Sequence, residues 1–211
     1  MLWLAALALS LSPIDTLSKV QATYKQGGDF EASFTHVYID KLRGKKRLET
    51  GKLWAKRDGR VRWSYLDPVP KDFVFTGKQA IFYEPEAAQV TLFEAFEDSP
   101  LFEATRFLWG QGRIDRLFDA KTCSTHCDLG GAGEIVIELW PKQELASIDH
   151  TVLIVDAKAF RVLRSIIFDT LGNRTEYVFS AVKFGAKISG KKFDFVMPQG
   201  VSILRAGAEN P

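Results

Sequence analysis

The chain has 211 residues, 46% of them hydrophobic, and a formal net charge of +2. That length suffices for one domain with a sizeable core. The near-neutral balance gives no strong field toward nucleic acid or an anionic membrane.

Residues 1–11 are almost wholly apolar but too few to span a bilayer. With small residues Ala8, Ser10 and Ser12 near a possible cleavage point, they read as an export signal, the alternative being a buried N-terminal helix. The remainder, 12–211, reads as one domain, because no linker rich in Pro, Gly or Ser divides it. Ser12-Pro13-Ile14-Asp15 predicts a helix start: an N-cap, a first-turn proline and a first-turn acid. Ile14, Leu17, Val20 and Tyr24 form its apolar stripe, and Gly27-Gly28 ends it.

Strand signals follow. Phe30, Ala32, Phe34, His36 and Tyr38 alternate with polar residues. Lys45-Lys46-Arg47 reads as a solvated turn. Residues 51–68 alternate on both sides of Asp58-Gly59, predicting a hairpin. Residues 73–76 and 80–83 flank Gly77-Lys78 as a second hairpin, and 89–93 is a further strand after Glu84-Pro85. Ser99-Pro100 repeats the helix start, with Leu101, Phe102, Thr105, Leu108 and Trp109 before Gly110; 114–118 predicts another helical turn. Strands are expected at 134–140, 150–155, 162–168, 174–184 and 193–197. Turns this short forbid parallel crossovers, so the sheet is expected to be antiparallel and to curl. The two amphipathic helices would cover its open side.

No catalytic constellation stands out. The three histidines, His36, His126 and His150, fit no metalloprotease motif, and there is neither a nucleophile elbow nor a phosphate-binding loop. No cofactor and no metal site is expected. Cys123 and Cys127 are spaced for a local disulfide, with zinc through both thiolates and His126 as the alternative.

Four segments together resemble the LolA family of periplasmic outer-membrane lipoprotein carriers. They are 29–35 (Asp-Phe-Glu-Ala-Ser-Phe-Thr), 51–63 with Leu53-Trp54-Ala55-Lys56-Arg57 and Trp63, 77–90 with Phe82-Tyr83-Glu84-Pro85, and 193–201 with Pro198-Gln199-Gly200-Val201. The resemblance implies a mainly β fold: a strongly curved, unclosed antiparallel barrel with a helical lid over an apolar cavity. It implies a monomeric, non-enzymatic periplasmic chaperone that holds the acyl chains of lipoproteins. Loading would come from an inner-membrane ABC transporter of the LolCDE type and unloading would go to a LolB-like outer-membrane acceptor. Arg57 matches the arginine that locks the lid; taken alone it reads as an exposed strand-end arginine. Phe30, Phe34, Trp54, Val61 and Trp63 are expected to line the cavity, with Leu101 and Phe102 on the lid. The chain departs from the family pattern at Asp58, where proline is usual, and at Val61, where a larger aromatic is common. Two other readings share this fold: a carrier of another lipid or glycolipid, and an envelope-stress sensor domain.

Overall fold

The computed structural model describes residues 11–93, 96, 114–145 and 148–206. The expected export signal therefore lies largely outside them, and the expected helix at 99–110, with Leu101 and Phe102, lies wholly outside.

Helix α1 (Pro13–Gly27) starts as its sequence dictates: the Ser12 side chain accepts from Asp15 N, and Gly28 takes φ 72° to end it. Thr16, Leu17, Val20 and Tyr24 are buried. Ile14 is 46% exposed, so the stripe begins one turn later than expected, with Thr16 tied back to the Ser12 carbonyl at 3.0 Å.

Among the described residues twelve strands form one sheet, ordered β12-β6-β5-β4-β3-β2-β1-β11-β10-β9-β8-β7. They are β1 (Phe30–Ile39), β2 (Lys46–Ala55), β3 (Val61–Asp67), β4 (Lys71–Phe75), β5 (Ala80–Glu84), β6 (Gln89–Phe93), β7 (Phe118–Thr122), β8 (Glu134–Pro141), β9 (His150–Asp156), β10 (Val162–Phe168), β11 (Arg174–Phe184) and β12 (Ser202–Ala206). A short α2 (Ile114–Leu117) precedes β7. Each half of the sheet is a meander, and the halves meet where β1 pairs with β11. The sheet is strongly curved and its two ends do not pair with each other.

Three expectations needed correction. Lys46 and Arg47 lie within β2, opposite Ile39 and Tyr38, so the turn is confined to 40–45 and is fixed by Asp40. Residues 193–197 are not a strand: Gly190–Phe193 is a 3₁₀ turn that buries Phe193, and Pro198 and Gly200 follow. The C-terminal strand is instead β12, and it pairs parallel to β6, whereas all other pairs are antiparallel. Strand β7 was not foreseen: Phe118–Thr122 has only Phe118 and Ala120 as apolar residues, and the helical turn was expected to run through Phe118.

The pleat divides the sheet's side chains. The inner face carries the main core, including Phe30, Phe34, Leu53, Val61, Phe75, Leu139 and Val155, and α1 packs onto it. The outer face has two smaller cores. Ile81, Val90 and Leu92 lie under Phe195 and Val201 of the segment after β11. Val152, Ile154 and Ile166 lie under Leu129 of the loop between β7 and β8.

Candidate functional site

The inner face carries a row of aromatic rings drawn from β1, β3 and β11. Phe34 packs edge-on against Trp63 at 4.9 Å and Tyr65 at 5.0 Å between ring centres. Trp63 meets Tyr177 at 5.2 Å and Phe179 at 6.0 Å. Phe34 and Trp63 stand on strands separated by β2, and Gly51 is what lets them meet. A Cβ there would lie 2.4 Å from the Phe34 ring and 2.3 Å from the Ser64 carbonyl. Phe34 is buried, but Trp63, Tyr65, Tyr177 and Phe179 are only partly so. A second group continues the row: Phe73, Phe75 and Phe93 gather around Phe96 at 5.5–6.0 Å.

A polar network closes one end of the row. His36 stacks on Tyr177 at 4.5 Å, and its Nδ1 lies 3.0 Å from Glu49 Oε2. Lys71 Nζ donates to Glu49 Oε1 at 2.7 Å and sits over the Tyr65 ring. Burial lowers the His36 pKa, more than the Glu49 charge raises it. Burial would raise Glu49, but the Lys71 bond and charge, together with His36, outweigh it and lower its pKa. The consistent assignment is a carboxylate accepting from a neutral imidazole, whose Nε2 is then an unprotonated, buried atom without a partner among the described residues. Burial raises both the Tyr65 and the Tyr177 phenol, whose oxygens lie 3.4 Å apart. The spacing of the sequence held no sign of this network, since His36, Glu49 and Lys71 stand on β1, β2 and β4 and meet only in the folded sheet.

The expected site residues do not all come together. Phe30, Phe34 and Trp63 share the inner face. Val61 is there too, but fully covered, across from Ala55 and Phe75. Trp54 is corrected: it does not line the inner face. Its neighbours Leu53 and Ala55 point inward, so the pleat turns Trp54 outward between Glu31 and Arg62. There it floors an open outer groove of about 840 Å³, with Lys192 Nζ 4.0 Å above its ring.

Arg57 sits where the β2–β3 turn meets the end of α1. Its backbone N–H donates to Asp29 Oδ1 at 2.9 Å, and its guanidinium donates to the Lys25 carbonyl at 3.0 Å. The guanidinium thus binds one of the orphan carbonyls that every helix leaves at its last turn.

On the outer face, Cys123 and Cys127 are bonded to each other, with Cα atoms 5.3 Å apart. Neither thiolate is available, so the zinc alternative through both cysteines is set aside. The loop they close is held by Glu138, which is fully buried. Its carboxylate accepts the backbone N–H groups of Ser124, Thr125 and His126, and the Ser124 hydroxyl. Burial would raise its pKa, but these four donors outweigh burial and hold it at about 2.

Among the described residues no helix is long and apolar enough to cross a membrane. A curated relative in Nitrosomonas europaea, named outer-membrane lipoprotein carrier protein, is 26% identical over 97% of this chain and 98% of its own length. A relative of the same name in Nitrosospira multiformis is 28% identical over 82% of this chain and 80% of its own. An uncharacterized conserved protein of known structure from Thermus thermophilus shares the fold, with a TM-score of 0.56 and 12% identity over 92% of this chain and 98% of that one. The family model described as outer membrane lipoprotein carrier protein LolA matches residues 25–196, and the chain belongs to that family.

Proposed function

We propose that this protein is a periplasmic carrier that shields the acyl chains of lipoproteins. It takes them from an inner-membrane ABC transporter of the LolCDE type and passes them to an outer-membrane acceptor, LolB-like where one exists. The observation that carries the reading is the row of incompletely covered rings on the inner face, Trp63, Tyr65, Tyr177 and Phe179. It occurs on a chain that aligns along nearly its whole length with proteins named as lipoprotein carriers. Each buried acyl methylene contributes about 0.8 kcal/mol, so chains of lipid length cannot cross water unshielded. A surface of large rings offers contact area without a filled, rigid core to compete with the cargo. No catalytic role is assigned to any residue.

Residues 1–11 serve as the export signal in this reading, and 12–211 form one carrier domain. Arg57 acts as the lock. Its planar fork can hold several carbonyls at once, and its bond to the Lys25 carbonyl anchors α1 to the β2–β3 turn. Cargo entry breaks such bonds, and their re-formation helps expel the cargo; the lid is thus a two-state element that the cargo biases. Leu101 and Phe102 belong to that lid.

The experiment is recovery of the exported protein from the periplasm, followed by native mass spectrometry. Bound acylated lipoprotein is the expected result. Bound free lipid or glycolipid would replace the cargo assignment while leaving the fold reading in place. The Arg57→Leu variant is expected to fold normally and to load, but to hand cargo to the acceptor at a rate reduced at least tenfold. An unchanged transfer rate would remove Arg57 from the mechanism.

A further inference from the structure

We propose that His126 and His150 form a binding site for a late first-row divalent cation, Cu²⁺ foremost, on the outer face and remote from the aromatic row. Their Nε2 atoms face each other at 3.0 Å, although they lie 24 residues apart. The two rings are close to coplanar, tilted by 14°. Phe168 stacks on both, at 4.6 Å from His126 and 4.5 Å from His150, and Trp140 stacks on His150 at 4.6 Å. The rings are thus held in orientation by aromatic surfaces.

Each ring is also fixed from behind. Asp149 Oδ2 lies 2.7 Å from His150 Nδ1. A carboxylate only accepts, so Nδ1 carries the proton and the neutral ring turns a bare Nε2 toward His126. A carboxylate on the far nitrogen of an imidazole is the arrangement that orients metal-bound histidines and raises their basicity. His126 is placed by its own backbone: its N–H, with those of Ser124 and Thr125, is held by buried Glu138, and the Cys123–Cys127 bond closes the same loop. His150 is nearly buried, whereas His126 is partly open and its loop neighbours Thr125 and Cys127 are exposed. An ion can therefore enter from the loop side and keep water on its remaining positions.

The distance suits the purpose. Two imidazole nitrogens in adjacent positions of a tetragonal Cu²⁺ ion lie roughly 2.8 Å apart, given bonds of about 2.0 Å. The present separation of 3.0 Å is close to that, but the two Nε2 atoms point at one another, so on binding the rings swing within their stacked layers until both converge on the ion. In the metal-free neutral pair His126 donates Nε2–H to His150. On binding, that proton moves to His126 Nδ1, so both Nε2 lone pairs face the ion and no net proton is lost. Imidazole suits copper and zinc, and among divalent first-row ions copper binds such sites most tightly. Among the described residues no cluster of three or more His, Cys, Asp or Glu side chains is positioned to hold a metal. Two protein ligands plus water imply a micromolar site rather than a structural one.

The test is calorimetric titration of the full chain, purified without a histidine tag, with Cu²⁺ in a buffer containing glycine as a weak competitor. One equivalent should bind, and the electron paramagnetic resonance spectrum should show two imidazole nitrogens. His126→Asn keeps the backbone bonds to Glu138, so its fold should survive; its affinity should fall at least tenfold. Asp149→Asn should weaken binding about tenfold. Circular dichroism of both variants separates lost binding from lost fold. Absence of a one-equivalent site in the folded wild type, or unchanged affinity in folded His126→Asn, would overturn the proposal and leave a pair that shares only a proton.

Discussion

The inner row of rings and the outer cover over β8–β10 contain similar side chains and treat them in opposite ways. On the outer face, Trp140, His150, Phe168 and His126 lie in near-parallel layers, and the loop above them is held by a disulfide and by four donors to Glu138. On the inner face, Phe34, Trp63, Tyr65 and Tyr177 meet edge-on at steep angles. Among the described residues that row is locked by a polar network at the His36 end. Parallel layers under a pinned loop leave little freedom. Rings meeting at angles, with partly open faces, can slide and tilt when an apolar guest arrives. The molecule thus places its rigidity on the face turned away from the proposed cargo.

The largest test of that contrast is Glu138→Ala. It strips the acceptor from three backbone N–H groups and should destabilise the fold by about 3 kcal/mol, read as a lowered midpoint in urea. Acid should reproduce the loss in the unmodified protein. A carboxylate whose pKa falls on folding contributes stability that is complete above its unfolded value. For Glu138 that contribution should fade as pH drops from about 4.5 toward 2. His36 adds to the loss in the same direction but earlier, as pH falls below its ordinary value near 6.5, because protonation opposes its burial. A stability curve flat from pH 7 to 3 would mean that neither group is held as described.

Gly51→Ala probes the inner row. The new Cβ meets a backbone carbonyl and the Phe34 ring at under 2.5 Å, and a carbonyl in a sheet cannot move aside. A loss of about 2 kcal/mol is expected, together with a change in Trp63 fluorescence as Phe34 is displaced. A neutral result would show that the row is looser than its contacts suggest. Tyr24→Phe should cost least, about 1 kcal/mol. It removes the hydroxyl that accepts from Val162 N at 3.2 Å but keeps the ring against Phe30 and Phe184.

Much of this architecture was legible from local signals. The hairpins at Asp58-Gly59 and Gly77-Lys78 showed themselves because period-two alternation ran into glycines that take positive φ. The start of α1 was legible because Ser12, Pro13 and Asp15 each satisfy a helix terminus. The C-terminal strand was misplaced because Phe193 and Phe195 alternate like a strand, while burial of Phe193 in a tight turn outweighed that pattern. Trp54 was expected inward because it belongs to the hairpin that carries the family resemblance. The alternation of Leu53, Trp54 and Ala55 already carried the signal that one of them must face out. The pairs His36–Glu49 and His126–His150 were illegible for a different reason: only the finished sheet brings them within reach, and no local spacing encodes it.

The strand order carries a consequence for how the molecule comes into being. Every neighbour pair within the two meanders, β1 to β6 and β7 to β11, joins strands that follow one another along the chain. Those ladders can form locally and fast. The join between the halves is different, because Phe30 must find Phe184. Closing so long a loop is entropically slow. The same seam seats Tyr24 between Phe30 and Phe184, so α1 cannot settle fully before it forms. Helix α1 is therefore among the last pieces to find its place, and it stays unprotected in the nascent protein until Phe184 has been made and has paired.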